Sequence, residues 1–271
     1  MSAGKLQLTN GYSVDFGEIA RFVSTVQRDG RAKIPLADIA NAGGFALRQA
    51  ENLGSISQAF GLVEPRVLRL LPLGKITAAH DRFFDDVGTL WFLHYVIASQ
   101  PRHIVWNRFA TDLVIRPGGF TKDEFNGAFG DLAVTHSASS ANKHVRKETR
   151  GVVDAYLNQK LARLSYLREE DERFSLSYRE PLPPLILAAC IAEYRDRHRP
   201  GDTAVAVPDL LSGPNSPGVI CQIPEDRLRI GLEGLKNEAG VSLESRADLD
   251  QIRLSPDIAG WKWMERYYVA R

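Results

Sequence analysis

Residues 36–61 read LADIANAGGFALRQAENLGSISQAFG, which predicts two helices separated by a glycine-containing turn. The pair Gly43-Gly44 stops the first helix, because glycine readily adopts the backbone conformation that ends a helix. An amphipathic helix over 16–27 precedes this pair. Residues 62–77, LVEPRVLRLLPLGKIT, are apolar but interrupted by proline and glycine, and they predict two short β-segments joined by a turn. This order of elements is the plan of a winged helix-turn-helix.

The same plan recurs in the rest of the chain. Asp85 or Asp86 caps a helix over 87–99, and a second helix is predicted over 104–113. Further predicted helices begin at the Thr121–Glu124 capping box, reaching about residue 133, and at Ser139, and a hairpin follows over 164–178. The remaining elements are helices over 185–196, 225–240 and 261–270, with two strands over 241–255. We predict a mainly α protein with small β-wings, built as tandem winged helix-turn-helix units over 1–84, 85–178 and 179–271.

Composition indicates an ordinary globular protein. Its 271 residues are 44% hydrophobic and 25% charged, and the formal net charge of +1 excludes a polybasic protein. Two cysteines, Cys190 and Cys221, are too few for a disulfide scaffold and favour a reducing compartment. The N-terminal sequence has no signal-peptide core, and the most apolar run, 90–98, is shorter than a bilayer span. We therefore expect a cytoplasmic protein with no membrane partner.

The sequence contains none of the enzyme motifs for which we searched. There is no GxxxxGK[ST], GxGxxG or GxSxG, and the six histidines form no HxxxH, HxH or HxE pattern. We predict that His94 is a core histidine, that Cys190 is a buried thiol, and that Asp85-Asp86 caps a helix rather than binding a metal. The acidic run 169–172 is interpreted as a solvated turn. No catalytic residue, metal ligand or cofactor is predicted.

The predicted helix over 139–158 has two contrasting faces. At about 100° per residue, one face carries the mostly apolar set Ala141, Val145, Thr149, Val152 and Tyr156. The opposite face carries the basic set Lys143, Arg146, Lys147 and Arg150, and Ser139 and Asn142 lie beside it. From residue 142 to 168 there are seven Lys and Arg and two acids, a local net charge of +5.

Such a basic face suits double-stranded DNA. A recognition helix lies in the major groove, where Lys and Arg neutralise phosphates and Arg also pairs with guanine. We predict that the four basic residues bind DNA and that Ser139 and Asn142 reach base edges. In the first unit, Arg48 and Asn52 lie on a polar helix face and are predicted to assist. The third unit has an acidic balance, so we predict a protein-contact or homodimerisation module there.

The chain also resembles a bacterial family of unknown function encoded beside DNA phosphorothioation and other phage-defence genes. The resemblance runs from about residue 36 to 187. It rests on FTKDEF (120–125), on VRKETRGVVDAYL (145–157) and on matched positions of an LPLG turn, an acidic cap and an apolar helix: Leu71, Pro72, Leu73, Gly74, Asp86, Leu90, Trp91, Leu93 and His94. It implies a winged-helix DNA-binding or accessory protein of bacterial defence and supplies no active site.

Our hypothesis is therefore a non-enzymatic DNA-binding protein. It would be a targeting or regulatory subunit of an anti-phage DNA modification or restriction system, with other subunits of that complex as partners. Two alternatives stay open. One is a protein–protein scaffold of the same system without direct DNA contact, and the other is a nuclease with a dispersed metal site.

Overall fold

The computed structural model describes the backbone of residues 7–134, 138–177, 181–246 and 249–271, and the side chains in these ranges except 133–142. Within them the protein is mainly helical. Its α-helices are α1 Phe16–Asp29, α2 Leu36–Gly43, α3 Leu47–Ala59, α4 Pro72–His80, α5 Val87–Ala98, α6 Ile104–Arg108, α7 Lys122–Gly127, α8 Ala138–Leu157, α9 Pro184–His198, α10 Val207–Ser212, α11 Pro217–Cys221, α12 Glu225–Glu233 and α13 Gly260–Val269. A π-helical turn, Phe109–Leu113, and two 3-10 segments, Gly130–Val134 and Lys160–Leu164, complete the helical part.

The described strands form two small antiparallel sheets. They are β1 Leu167–Glu170, β2 Arg173–Leu176, β3 Ala204–Ala206, β4 Val241–Arg246 and β5 Leu249–Leu254. Strands β1 and β2 form a hairpin, and the other sheet has the order β3-β5-β4. Two of the three predicted hairpins, those over 164–178 and 241–255, are confirmed. The pairing of β3 with β5 was not predicted, because a three-residue strand leaves no periodic signal.

The first predicted hairpin is wrong in its second half. Residues 62–77 contain one isolated bridge, between Val63 and Leu70, and Pro72 begins helix α4 instead of a strand. Proline is favoured in the first turn of a helix because the amide it lacks would have no helical partner there. Gly74 allows α4 to approach the preceding turn, since a Cβ at this position would lie 2.1 Å from the carbonyl oxygen of Leu62.

Local helix signals were more reliable. The Asp86 carboxylate accepts a hydrogen bond from the Thr89 amide at 3.0 Å and caps α5 as predicted. The reciprocal hydrogen bonds of Thr121 and Glu124 form the predicted capping box. Helix α7 nevertheless ends at Gly127, and the 3-10 segment Gly130–Val134 occupies the rest of the predicted helix.

One continuous hydrophobic core runs through the described protein. Helices α5 and α9 pack against each other, and α13 packs on both α9 and α4. The buried apolar residues, from Leu8 to Tyr267, form a single cluster. The three predicted units therefore share their core, and the boundaries at 84/85 and 178/179 stay predictions.

Candidate nucleic-acid interface

Helix α8 presents the mostly apolar face predicted for it to this core, apart from Ala141, whose side chain lies outside the described residues. Val145, Val152 and Tyr156 are buried, and Thr149 is 4% exposed. The Thr149 hydroxyl donates to the side-chain oxygen of Asn126 at 2.7 Å and so ties α8 to α7. These contacts fix the rotation of α8 about its axis, which directs its other face outward.

The outward face carries the predicted basic side chains. Lys143, Arg146 and Arg150 are exposed, and Lys147 is half-buried. The stem of Lys147 packs over Gly11, where an added Cβ would lie 3.1 Å from the Lys147 Cδ. In the described part of the chain, no carboxylate forms an ion pair with any of the four. Among the described residues, these four cations therefore have no carboxylate as a partner.

The other basic residues of this region have partners. Lys160 forms an ion pair with Asp85, and Arg163 donates to the Asp85 backbone oxygen. Arg168 lies 3.9 Å from a carboxylate oxygen of Glu170. The Lys160 ammonium holds the pKa of the Asp85 carboxyl below its usual value. These three cations thus have partners within the protein, whereas the four on α8 have no carboxylate partner among the described residues.

Glu148, one of the two acids counted in the local net charge, is 1% exposed. Its Oε2 accepts hydrogen bonds from the Leu8 amide at 3.0 Å, the Thr9 amide at 3.1 Å and the Thr9 hydroxyl at 2.9 Å. Its Oε1 accepts from the Trp106 indole at 2.9 Å. Burial raises the pKa of Glu148, and the hydrogen bonds oppose that rise. Through these buried hydrogen bonds, the Glu148 carboxyl group holds the N-terminal segment against α8.

Sequence reasoning missed this role although a signal existed. Glu148 lies three residues after Val145 and four before Val152, which places it on the buried face of the helix. The identity of Trp106 as a partner has no local signal, because the two residues are 42 positions apart.

A groove of about 360 Å³ runs between α7 and α8. Arg146 and Arg150 belong to both the groove and the basic face. The remaining lining residues are Lys122, Phe125 and Asn126 from α7, Thr149, Val153, Asp154, Leu157 and Asn158 from α8 and its end, and Glu169. The pattern of α8 alone did not reveal this groove, since half of it depends on how α7 packs.

Asn52 on α3 corrects the prediction for the first unit. Its side chain is 3% exposed, and its amide nitrogen, oriented towards the N-terminal segment, donates to the carbonyl oxygens of Leu8 at 3.1 Å and Thr9 at 2.5 Å. A side chain enclosed in this way cannot reach a base edge. Arg48 is exposed in the first turn of α3, so its predicted DNA contact stays a prediction.

Ser139 and Asn142 lie within the bounds of α8, but their side chains are outside the described residues. Of the predicted core residues, His94 is buried, with Nδ1 against the Tyr156 hydroxyl and Nε2 3.0 Å from the Ile220 carbonyl oxygen. Cys190 is also buried, as predicted.

The described residues offer neither a metal-binding cluster nor a membrane-spanning helix. No group of three or more His, Cys, Asp or Glu side chains is placed to hold a metal ion. No described helix combines the length and apolarity that crossing a bilayer requires.

The family model of a protein of unknown function, DUF4007, matches residues 57–268. The chain therefore belongs to the DUF4007 family. No curated protein matches it. Among solved structures, it is similar to a "Magnesium ion-bound SspB crystal structure", with a TM-score of 0.77 and 17% identity, covering 98% of this chain and 89% of that one. A second, titled "SspB crystal structure", has the same TM-score and coverage and 15% identity. At these identities the likeness shows the fold.

Proposed function

We propose that this DUF4007 protein binds double-stranded DNA through the basic face of α8, defined by Lys143, Arg146, Lys147 and Arg150. It would act without catalysing chemistry, as a targeting or regulatory subunit of a bacterial anti-phage DNA modification or restriction system. The observation that carries the proposal is electrostatic. The four cations form no ion pair in the described chain, whereas neighbouring Lys160 and Arg163 both bind Asp85.

Unpaired surface cations suit a polyanion for a physical reason. Phosphates that meet Lys and Arg release condensed counterions, and this release drives association at moderate salt. A cation already held by a carboxylate gains less, because it must first give up that partner. With its 20 residues, α8 is about 30 Å long, enough to follow a major groove over several base pairs.

The arrangement of helices is compatible with groove recognition. Helices α7 and α8 are in contact, and so are α2 and α3. We interpret each as a helix-turn-helix-like pair and the β1–β2 hairpin as the wing of the central unit. Because most of α3 is buried, the proposal assigns the main reading role to α8.

The biological context is part of the proposal. The sequence resembles a family encoded beside DNA phosphorothioation and phage-defence genes, and solved structures named SspB share its fold. A subunit that binds DNA without an active site would deliver other subunits of a complex to their substrate.

Fluorescence anisotropy with labelled duplex DNA, measured from 50 to 200 mM salt, tests the proposal. We expect the Arg146→Glu, Arg150→Glu double variant to lose roughly 100-fold in affinity, because two phosphate contacts become repulsive. The matched control is the double variant Arg227→Glu, Lys236→Glu, which changes the net charge by the same amount. Arg227 lies in α12, and Lys236 follows this helix. Equal loss in both variants would assign binding to net charge alone, and equal affinity of wild type and the α8 variant would refute the proposal.

One finding favours a second candidate function, a Mg²⁺-dependent nuclease. A structure with the same fold is titled as magnesium ion-bound. Incubation of the purified protein with supercoiled plasmid and Mg²⁺ distinguishes the two functions. Nicking that EDTA abolishes and that copurifies with the wild-type protein would replace the non-enzymatic proposal, and intact plasmid under conditions of full DNA binding would support it.

The scaffold alternative is also testable. On α12, Ile230 is 57% exposed and would offer an apolar side chain to a protein partner. Stable copurification with other subunits in the absence of any DNA affinity would favour a scaffold over a DNA-binding subunit.

A further inference from the structure

The groove between α7 and α8 is built from two kinds of side chain. Phe125 and Val153 are buried, and Leu157 is half-buried, so they form its floor. Lys122, Arg146 and Arg150 are exposed and form a cationic part of its rim. An occupant must therefore combine an apolar body with negative charge.

Polar groups in the same groove add hydrogen-bonding capacity. The side-chain oxygen of Asn126 accepts from Thr149, which leaves its amide nitrogen as a donor. Asp154 accepts from the Ser13 hydroxyl at 2.6 Å and from the Asn158 amide at 3.0 Å, and its carboxylate retains further acceptor capacity. Glu169 contributes a second carboxylate to the rim.

The charges are ordered along α8. Arg146, Arg150, Asp154 and Asn158 follow one another at intervals of four residues, so they form a single stripe about 18 Å long. The cations occupy one end and the acidic and amide side chains the other. A nucleotide has the same polarity, with an anionic phosphate at one end and a base edge carrying amino and carbonyl groups at the other.

We infer that the groove receives one unstacked nucleotide of the DNA bound on α8, with its base on the apolar floor and its flanking phosphates on Arg146 and Arg150. The inference rests on the proposed function. A base turned out of a duplex is held by stacking on apolar side chains and by hydrogen bonds to its edge, and both are available here. The volume, about 360 Å³, falls within the range of about 300–1,000 Å³ typical of small-molecule sites.

The position of the two arginines favours DNA over a free nucleotide as the source. They line the groove and also belong to the basic face, so a nucleotide inside remains connected to a duplex outside. A small ligand would need only the groove and would leave Lys143 and Lys147 without a function.

The experiment uses duplexes that the wild-type protein binds, with 2-aminopurine placed at each position in turn. Emission of this base rises when it leaves the stack. We expect a severalfold rise at one position on addition of wild-type protein. In Asn126→Trp, an indole fills the groove from its half-buried wall, and the rise should vanish at protein concentrations at which anisotropy shows that the duplex is fully bound.

Gly127→Trp is the matched control, because a Cβ at Gly127 meets nothing within 4 Å and this residue does not line the groove. It should keep the fluorescence rise. Asn158→Trp fills the groove from its other end and should repeat the result of Asn126→Trp, which guards against a folding defect specific to one variant.

The outcomes separate this inference from the proposed function. Wild-type binding without a rise at any position overturns the inference and leaves the proposed function intact. Absence of DNA binding overturns both. Calorimetric binding of free deoxynucleoside monophosphates, with no rise in duplex emission, also overturns the inference, because the groove would then be a small-ligand site.

Discussion

Helices α3 and α8 occupy equivalent places in the predicted plan, yet the structure gives them different environments. Helix α3 is buried from Asn52 to Ser57 apart from the half-buried Ser55, and it exposes one cation, Arg48, in its first turn. Helix α8 exposes Lys143, Arg146 and Arg150 along one side. A helix-turn-helix pattern thus identifies a pair of helices but does not say which one is exposed. Because burying a charged side chain is costly, the helix with more charged residues stays at the surface.

The same segment of chain joins the two helices. Leu8 and Thr9 donate to Glu148 on α8 and accept from Asn52 on α3. Asn52, which the sequence analysis placed on a polar helix face, and Glu148 are therefore buried for a shared reason, since both satisfy the backbone of this segment.

The largest expected effect is on stability at this contact. Glu148→Ala leaves the two amides, the Thr9 hydroxyl and the Trp106 indole without their acceptor. Buried donors without partners are costly, so we expect a loss of roughly 3 kcal/mol or more. The urea midpoint measures it. Glu51→Ala, which removes an exposed acid from α3, should stay within about 0.5 kcal/mol of wild type, and a similar loss in both variants would contradict the burial of Glu148.

The next effect is on the salt dependence of DNA affinity, which distinguishes contacts made by α3 from contacts made by α8. If four cations of α8 contact phosphates, log K falls against log salt with a slope of roughly −3.6, and Arg146→Gln, Arg150→Gln should reduce it to about −1.8. Arg48→Gln should leave the slope unchanged if α3 stays clear of the duplex. A drop of about 0.9 in the Arg48 variant would show that both helices meet DNA.

Asn52→Ala should act on folding alone. The variant removes two hydrogen bonds to the buried backbone, and we expect a loss of about 1 kcal/mol in unfolding free energy. DNA affinity at fixed salt should be unchanged. Weaker DNA binding by a variant that remains folded would restore Asn52 as a reading residue.

The smallest effect is a pH dependence. Burial raises the pKa of Glu148 above its ordinary value of 4.5. Between that value and the raised one, the folded protein binds more protons than the unfolded chain, so this residue's contribution to stability falls as pH rises. The stability difference between wild type and Glu148→Gln should therefore shrink from pH 4 upward. A stability difference that grows with pH would instead indicate that the pKa of Glu148 is lowered and that its carboxyl group is fully ionised.

Local signals predicted much of the fold. The N-cap at Asp86, the capping box at Thr121 and the hairpins over 164–178 and 241–255 depend on residues close in sequence, and all four are confirmed. Helix α4 was missed because the apolar run 62–77 suits a strand as well as a helix, and only Pro72 distinguished them. The division of α8 into an apolar face and a basic face predicted which side of this helix is buried.

The rest of the site depends on contacts between distant residues. The groove requires the packing of α7 on α8, and the position of Glu148 requires a chain segment 140 residues away. Neither follows from helical periodicity, which describes each helix separately. The ion pairs of Lys160 and Arg163 with Asp85 likewise need the folded arrangement of two sequence regions.

The hydrogen bonds that Leu8 and Thr9 donate to Glu148 have a practical consequence for the design of shortened versions of the protein. The family match begins at residue 57, after α1, α2 and most of α3. A fragment started there would retain the Trp106 donor but lose the two amides and the hydroxyl that Leu8 and Thr9 donate to Glu148. We therefore expect shortened versions made for crystallisation or domain mapping to be more stable when they keep Leu8 and Thr9 together with the matched region.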